Sequence, residues 1–194
     1  GLKIGLPKEY FGEGVEKETR DIVMEAVGRL EKAGAEVVEV SLPTTKYAVA
    51  LYYISMSAEL ATNLERFDGV RFGKKYSGGK AGGASGADDI VDFYFKTRGE
   101  FFGDEIKRRI MMGTYVLSAG YMDAYYKKAM KVRTLIIQDF EKAFKKFDVL
   151  VAPVSPFPAF GIGEKANDPL AMYTADALTI PASAAGLPSL ACPA

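Results

Sequence analysis

Histidine is absent from the 194 residues, which removes every Ser-His, Cys-His and His-metal arrangement from the chemistry open to the chain. Cysteine occurs once, at Cys192. No internal disulfide can form, and no CxxC or Cys/His cluster exists to hold zinc, a usage that suits a reducing, cytoplasmic compartment. An excess of either charge is missing as well. Lys plus Arg is 25 and Asp plus Glu is 25, so the electrostatic footprint of direct nucleic-acid binding is not there. No apolar run reaches the roughly 18 residues of a membrane-spanning helix, and the opening GLKIGLPKEY lacks the apolar core of a signal peptide. A soluble chain with no membrane partner is the expectation.

What is present is enough apolar material for a core, 48% hydrophobic and 12% aromatic residues, too much for a disordered chain. Leu2–Leu6 read as a short strand closed by Pro7. From Val15 to Ala33 the residues Val15, Thr19, Ile22, Val23, Ala26, Val27, Leu30 and Ala33 recur at helical spacing, and Gly34 falls where a helix C-cap is expected. Ala35–Leu42 alternates apolar and polar residues before Pro43. Strand, helix, strand argues for α/β layering. A second helix is expected over Thr45–Leu64, then a polar turn in RFDGVRFG, then a glycine-rich stretch at Gly73–Ala87 whose composition predicts a mobile loop, most clearly at Gly78–Gly86. Helical periodicity returns from Asp88 and ends in a long helix with Tyr125, Ala129, Val132, Ile136, Phe140, Phe144 and Phe147 on one face. Asp148–Ala152 reads as a buried strand, Pro153 to Pro169 as a rigid irregular connection, and Ser189–Cys192 as a last strand.

Motif by motif, simple readings hold. The glycine-rich stretch has neither GxxxxGK[ST] nor GxGxxG between a strand and a helix, so a phosphate cradle is not indicated. Ser77 and Ser85 lie in no GxSxG elbow. Asp88, Asp89, Asp104 and Glu105 sit at expected helix starts, where a carboxylate favours the positive end of the dipole. Lys107, Arg108 and Arg109 form a basic run, and at about 100° per residue Lys107 and Arg109 cannot share a helical face.

Five segments resemble the amidase-signature family, and within it the A-type, glutamine-hydrolysing subunits of tRNA-dependent amidotransferases. They are GLKIGLPKEYFGEG, NLERFDGVRFG, GDEIKRRIMMGTYVLSAGYMDAYYKKAMKVRTLI, FDVLVAPVSP and TIPASAAGLPSLACPA, which together span nearly the whole chain. The resemblance implies an α/β fold, part of an α/β/α amidase-signature domain with a mixed central sheet covered by helices. Residues 1–194 would be the C-terminal portion of that single domain, in keeping with a start that lacks Met and a stop inside an apolar run.

In this family a serine nucleophile, a second serine in a cis peptide and a lysine base do the chemistry, which needs no histidine. Their motifs are absent here. AGGASGADD has the small-residue look of the serine signature without its nucleophile pattern, so no catalytic residue is assigned. A pocket for zwitterionic glutamine needs a cation for the α-carboxylate and an anion for the α-ammonium. The resemblance places Arg109 of KRRI on the carboxylate, Asp176 of YTADALTIP on the ammonium, and Tyr52 of LYYIS in contact with the substrate. It also implies B- and C-type partner subunits, tRNA held indirectly through a partner, and ATP with Mg²⁺ used in that partner, with no cofactor in this chain. A fragment of a general amidase, or a non-catalytic scaffolding or binding domain, are the alternatives.

Overall fold

The computed structural model describes residues 1–77, 89–164 and 169–194, and these divide into two compact units, Gly1–Tyr52 with Met130–Ala194, and Tyr53–Ala129. The stretch 78–86 expected to be mobile lies outside the described residues, as do Ser85 and Asp88. Among the described residues no helix is long and apolar enough to cross a membrane.

The first unit is built on three strands, β1 (Lys3–Pro7), β2 (Glu36–Val40) and β3 (Val149–Leu150), in the order β2-β1-β3. The sheet expected to be mixed is parallel at both of these pairings, with Ile4 opposite Val37 on one side and Val149 on the other. Helix α1 (Lys17–Lys32) makes the crossover from β1 to β2 that parallel strands require. It ends as the sequence predicts. Gly34 takes a left-handed φ of 97°, and the amides of Ala33, Gly34 and Ala35 turn back onto the carbonyls of Arg29, Glu31 and Leu30. At Gly5 a side chain would collide with Leu150 Cδ2 at 2.5 Å and Phe147 Cδ2 at 3.0 Å. Glycine there lets β3 and the preceding turn close on β1.

Strand β3 is shorter than the expected Asp148–Ala152. The ladder runs through Asp148 N–H to the Lys3 carbonyl and Val151 N–H to the Gly5 carbonyl, and the next position on β1 toward its end is Pro7, which has no N–H to give. The last strand expected at Ser189–Cys192 is not formed. Apolar character alone had suggested it, but that segment pairs with no described strand and Leu190 stands 91% exposed.

The expected helix from Thr45 begins instead as a 3₁₀ turn, Pro43–Tyr47, and becomes α2 at Ala48–Leu64. Pro43 supplies the fixed φ of a first turn but no amide. Two carboxylates fasten this entry. Glu9 accepts from Ser41 Oγ at 2.6 Å and from the Leu42 amide at 2.9 Å; Asp139 accepts from the Thr44 amide at 3.0 Å and from the Thr44 hydroxyl. The core of this unit gathers Ile4, Val27, Leu42, Leu51, Ile136, Phe140 and Ile180.

Helix α5 (Lys127–Phe144) buries Ala129, Ile136, Phe140 and Ala143. Tyr125 and Phe144, expected on the same face, are 42% and 41% exposed. The reason lies in the backbone. Met122–Tyr126 form a π-helical turn, whose wider winding breaks the 3.6-residue period ahead of Ala129, and at the far end Ala143 takes the inner position.

The second unit holds the rest of α2, α3 (Ile90–Phe101) and α4 (Asp104–Leu117). Asp68 folds the RFDGVRFG segment by accepting from the amides of Val70, Arg71 and Phe72, and these amide donors hold its carboxyl at a pKa of about 2. Asp89 caps α3 through the Asp92 amide at 2.8 Å. Chain punctuation follows the expected chemistry. Helices α6 (Pro169–Ala175) and α7 (Ile180–Ala185) belong to the first unit.

Ile4 is 1% exposed in the middle strand, so Ile4→Ala should lower stability by about 2–5 kcal/mol. On β2, Val38 is 43% exposed, and Val38→Ala should change it by no more than about 1 kcal/mol. Urea midpoints of the two variants test the assignment, and equal losses would remove β1 from the core.

Candidate functional site

Helix α4 starts after Gly103 with Asp104 and Glu105 in its first turn, where their charge meets the positive end of the helix. Glu105 has a second task. Its carboxylate takes Arg108 through Nε at 2.8 Å and Nη2 at 2.7 Å, and Arg109 through Nε at 2.6 Å. Spacings of three and four residues put all three side chains on one side of the helix. Hydrogen bonds from Arg108 first, and then Arg109, hold the Glu105 carboxyl at a pKa of about 2.

The two arginines differ in their surroundings. Arg108 and Glu105 are 43% and 53% exposed, whereas the Arg109 side chain is 25% exposed. From α2, Met56 offers its sulfur at 3.4 Å to Arg109 Nη1, and the Tyr53 ring lies 5.9 Å from the guanidinium carbon. A thioether accepts a hydrogen bond without adding charge, and an aromatic face attracts a cation at short range. Arg109 is thus a partly sheltered cation held from three directions. Lys107 points elsewhere, to the Gly99 carbonyl at 2.8 Å, as the helical angle between 107 and 109 requires.

Asp176 lies in the first unit, in the turn between α6 and α7. Its backbone carbonyl accepts from the amides of Thr179 and Ile180, both at 3.1 Å. The N-cap of α7 is Thr179, so Asp176 is not a capping aspartate. Its carboxylate is exposed. Tyr52 is half-buried on α2, also in the first unit. One residue further, Tyr53 is the tyrosine beside Arg109. Sequence reasoning missed Tyr53, Met56 and the clasp of Glu105. The Glu105 spacing to Arg108 and Arg109 was a readable signal, but the two α2 residues had none, because nothing in the sequence fixes which face of α2 meets α4.

Further along the same unit, Tyr115, Tyr121 and Tyr125 form an exposed stack, with Tyr115 and Tyr121 centroids 4.3 Å apart and Tyr121 and Tyr125 centroids 6.0 Å apart. The hydrogen bond to Tyr121 pushes the Tyr115 hydroxyl up to about 12. Among the described residues no group of three metal-ligating side chains occurs. Chemically, a guanidinium is a planar fork of donors suited to two-point contact with a carboxylate.

A family model described as Amidase matches residues 1–194. The curated A-type component of Glutamyl-tRNA(Gln) amidotransferase from Geobacillus sp. (strain WCH70) is 56% identical over 193 residues, covering 100% of this chain and 38% of that protein. Its namesake from Macrococcus caseolyticus (strain JCSC5402) is 56% identical with the same coverage. The chain therefore spans well under half the length of these relatives. Among solved structures, the corresponding Glutamyl-tRNA(Gln) amidotransferase component of Thermotoga maritima aligns with a TM-score of 0.65 at 36% identity, over 96% of this chain and 34% of that one. A crystal structure of an amidase aligns with a TM-score of 0.66 at 20% identity, over 95% of this chain and 36% of that one, a likeness of fold.

The pH behaviour of Glu105 tests the clasp. With its folded pKa held below the ordinary value of 4.5 at about 2, the clasp contributes fully above about pH 4.5 and is lost as the pH falls toward 2. The Glu105 carboxyl carbon shift should titrate with a midpoint near 2. Arg108→Ala should raise that midpoint more than Arg109→Ala does. A midpoint near 4.5 in the unaltered chain would mean that the clasp is not populated in solution.

Proposed function

The chain belongs to the amidase family, and on that premise we propose that it is part of the glutamine-hydrolysing subunit of a tRNA-dependent amidotransferase. Residues 1–194 are the C-terminal portion of one amidase-signature domain, supplying one side of a glutamine pocket. The intact subunit splits the glutamine carboxamide and delivers ammonia to an activated Glu-tRNA(Gln) or Asp-tRNA(Asn). The tRNA is held by a partner subunit of B type, with a C-type subunit completing the complex. ATP and Mg²⁺ act in that partner. The assembly is cytoplasmic.

Within this reading Arg109 binds the α-carboxylate of glutamine, Asp176 binds the α-ammonium and Tyr52 contacts the substrate. The observation that carries it is Arg109: a guanidinium with a 25% exposed side chain, oriented by Glu105 and Met56, in a chain 56% identical to a protein named for tRNA-linked amide transfer. Recognition of a zwitterion by one cation and one anion favours free glutamine over a neutral amide, because each charge left without its partner on desolvation weakens binding. The nucleophilic serine and lysine base come from outside these residues. What this portion contributes is grip and orientation, which raise the rate by holding the carboxamide where it is attacked.

Two measurements test the proposal. Purified alone, the chain should release no ammonia from glutamine above a buffer control, since acylation needs a nucleophile and base it does not carry. In an intact subunit built by substituting this chain for the matching segment of the Geobacillus relative, Arg109→Lys and Asp176→Asn should each lower kcat/KM for glutamine by ~30-fold or more, the size expected when one partner of a desolvated charged contact is removed. A small neutral amide should lose far less. Equal losses on both substrates would point to general damage, and no loss on glutamine would move the clamp to other residues.

A further inference from the structure

Gly113 stands one helical turn after Arg109 on α4, and both residues face α2. A Cβ at Gly113 would come within 2.6 Å of the Ser57 carbonyl carbon and 2.7 Å of the Ala61 Cβ, and would overlap the Ser57 carbonyl oxygen. The obstruction is backbone, so no side-chain rotation relieves it. Gly113 is not among the glycines with positive φ, so its conformation does not call for glycine. A glycine inside a helix also weakens that helix. What remains to explain it is the close approach.

On α2 the facing positions are equally small and closed. Ser57 is 0% exposed, Ala61 4% and Ala58 2%. The Ser57 hydroxyl has no hydrogen-bond partner, so size, and not a polar contact of that hydroxyl, accounts for the position. Four residues before Gly113 on α4 is Arg109, and four residues before Ser57 on α2 is Tyr53. The two helices therefore run in step, and the separation fixed where Gly113 meets Ser57 governs the gap one turn earlier. Across that gap Arg109 reaches Met56 Sδ at 3.4 Å and the Tyr53 ring at 5.9 Å. A wider gap would take the sulfur out of reach and weaken the hold of α2 on the guanidinium.

We infer that Gly113 is a positioning residue for Arg109: its lack of a side chain lets α4 press against α2 at Ser57, and α2 then holds the guanidinium in the direction that reads a substrate carboxylate. The inference rests on the proposed role of Arg109 as the carboxylate-binding cation. Gly113 itself touches no substrate. It sets specificity for amides that carry an α-carboxylate over those that do not.

The test uses the same intact subunit, with glutamine and a small neutral amide as substrates. Gly113→Ala forces the helices apart by on the order of 1 Å, enough to disturb a binding geometry by tenfold or more. The expected result is a KM for glutamine raised about tenfold or more, with kcat/KM for the neutral amide lowered by less than about threefold. Met56→Leu, which keeps the volume but removes the sulfur acceptor, should shift the glutamine KM in the same direction by a smaller factor, and it carries the test if Gly113→Ala does not fold. Parallel losses on both substrates would overturn the inference, since a merely structural glycine would act on both alike. An unchanged glutamine KM in these variants, with Arg109→Lys still raising it, would overturn the role of Gly113 and leave that of Arg109 standing. An unchanged glutamine KM in Arg109→Lys as well would overturn both.

Discussion

Parallel pairing of β1 with both of its neighbours is the constraint from which the rest of the chain's course follows. Parallel strands cannot be joined by a tight hairpin, so the chain has to leave the sheet and return for each new strand. The first return is short, through α1. The second runs from Ser41 to Asp148 before β3 forms, and it is within this excursion that Tyr53–Ala129 gather into a unit of their own. Such long crossovers are where α/β proteins carry function, because the strands fix the ends while the excursion is free to vary. Arg109 lies on it.

The ends of the excursion are fastened by polar contacts and not by burial alone. Glu9 and Asp139 each spend a carboxylate on the backbone where the chain leaves β2. Asp148 does the same at the return, accepting from the Lys3 amide at 2.8 Å. An acidic side chain that satisfies a backbone amide replaces the ladder partner that the amide would otherwise lack. The net contribution of each such bond is reduced by the hydration the carboxylate gives up.

Much of this organisation is legible in the sequence, for identifiable reasons. Strand β1, helix α1 with Gly34 at its end, and the cap at Asp89 are local features, each decided by residues within a few positions of one another. The failures are of two kinds. The apolar run at Ser189–Cys192 has strand composition but no described partner, and pairing is a property no single segment contains. The face of the long helix was misjudged at Tyr125 because a π-helical turn alters the period just before it, and the sequence carries no marker for that. Arg109 and Asp176 came from resemblance. By residue type alone, a solvated helix arginine and a helix-capping aspartate are the favoured readings, and it is Thr179, not Asp176, that occupies the cap. The neighbours Tyr53 and Met56 depend on which face of α2 meets α4, a tertiary fact with no local signature.

Charge arithmetic on α4 bears on the proposed reading of Arg109 as a carboxylate-binding cation. Arg108 and Arg109 bring two positive charges and Glu105 one negative, so the trio keeps a net charge of +1 however the hydrogen bonds are shared. The more exposed Arg108 takes two of the three bonds to Glu105. Arg109 meets Glu105 through Nε, and the additional partners described for it, a sulfur and an aromatic ring, attract a cation without neutralising it. A second carboxylate in place of Met56 would cancel the net charge of the trio. An apolar side chain there would leave the guanidinium less directed. Soft, uncharged contacts on a sheltered arginine orient the group while preserving its charge, which is what recognition of a carboxylate by a planar fork requires.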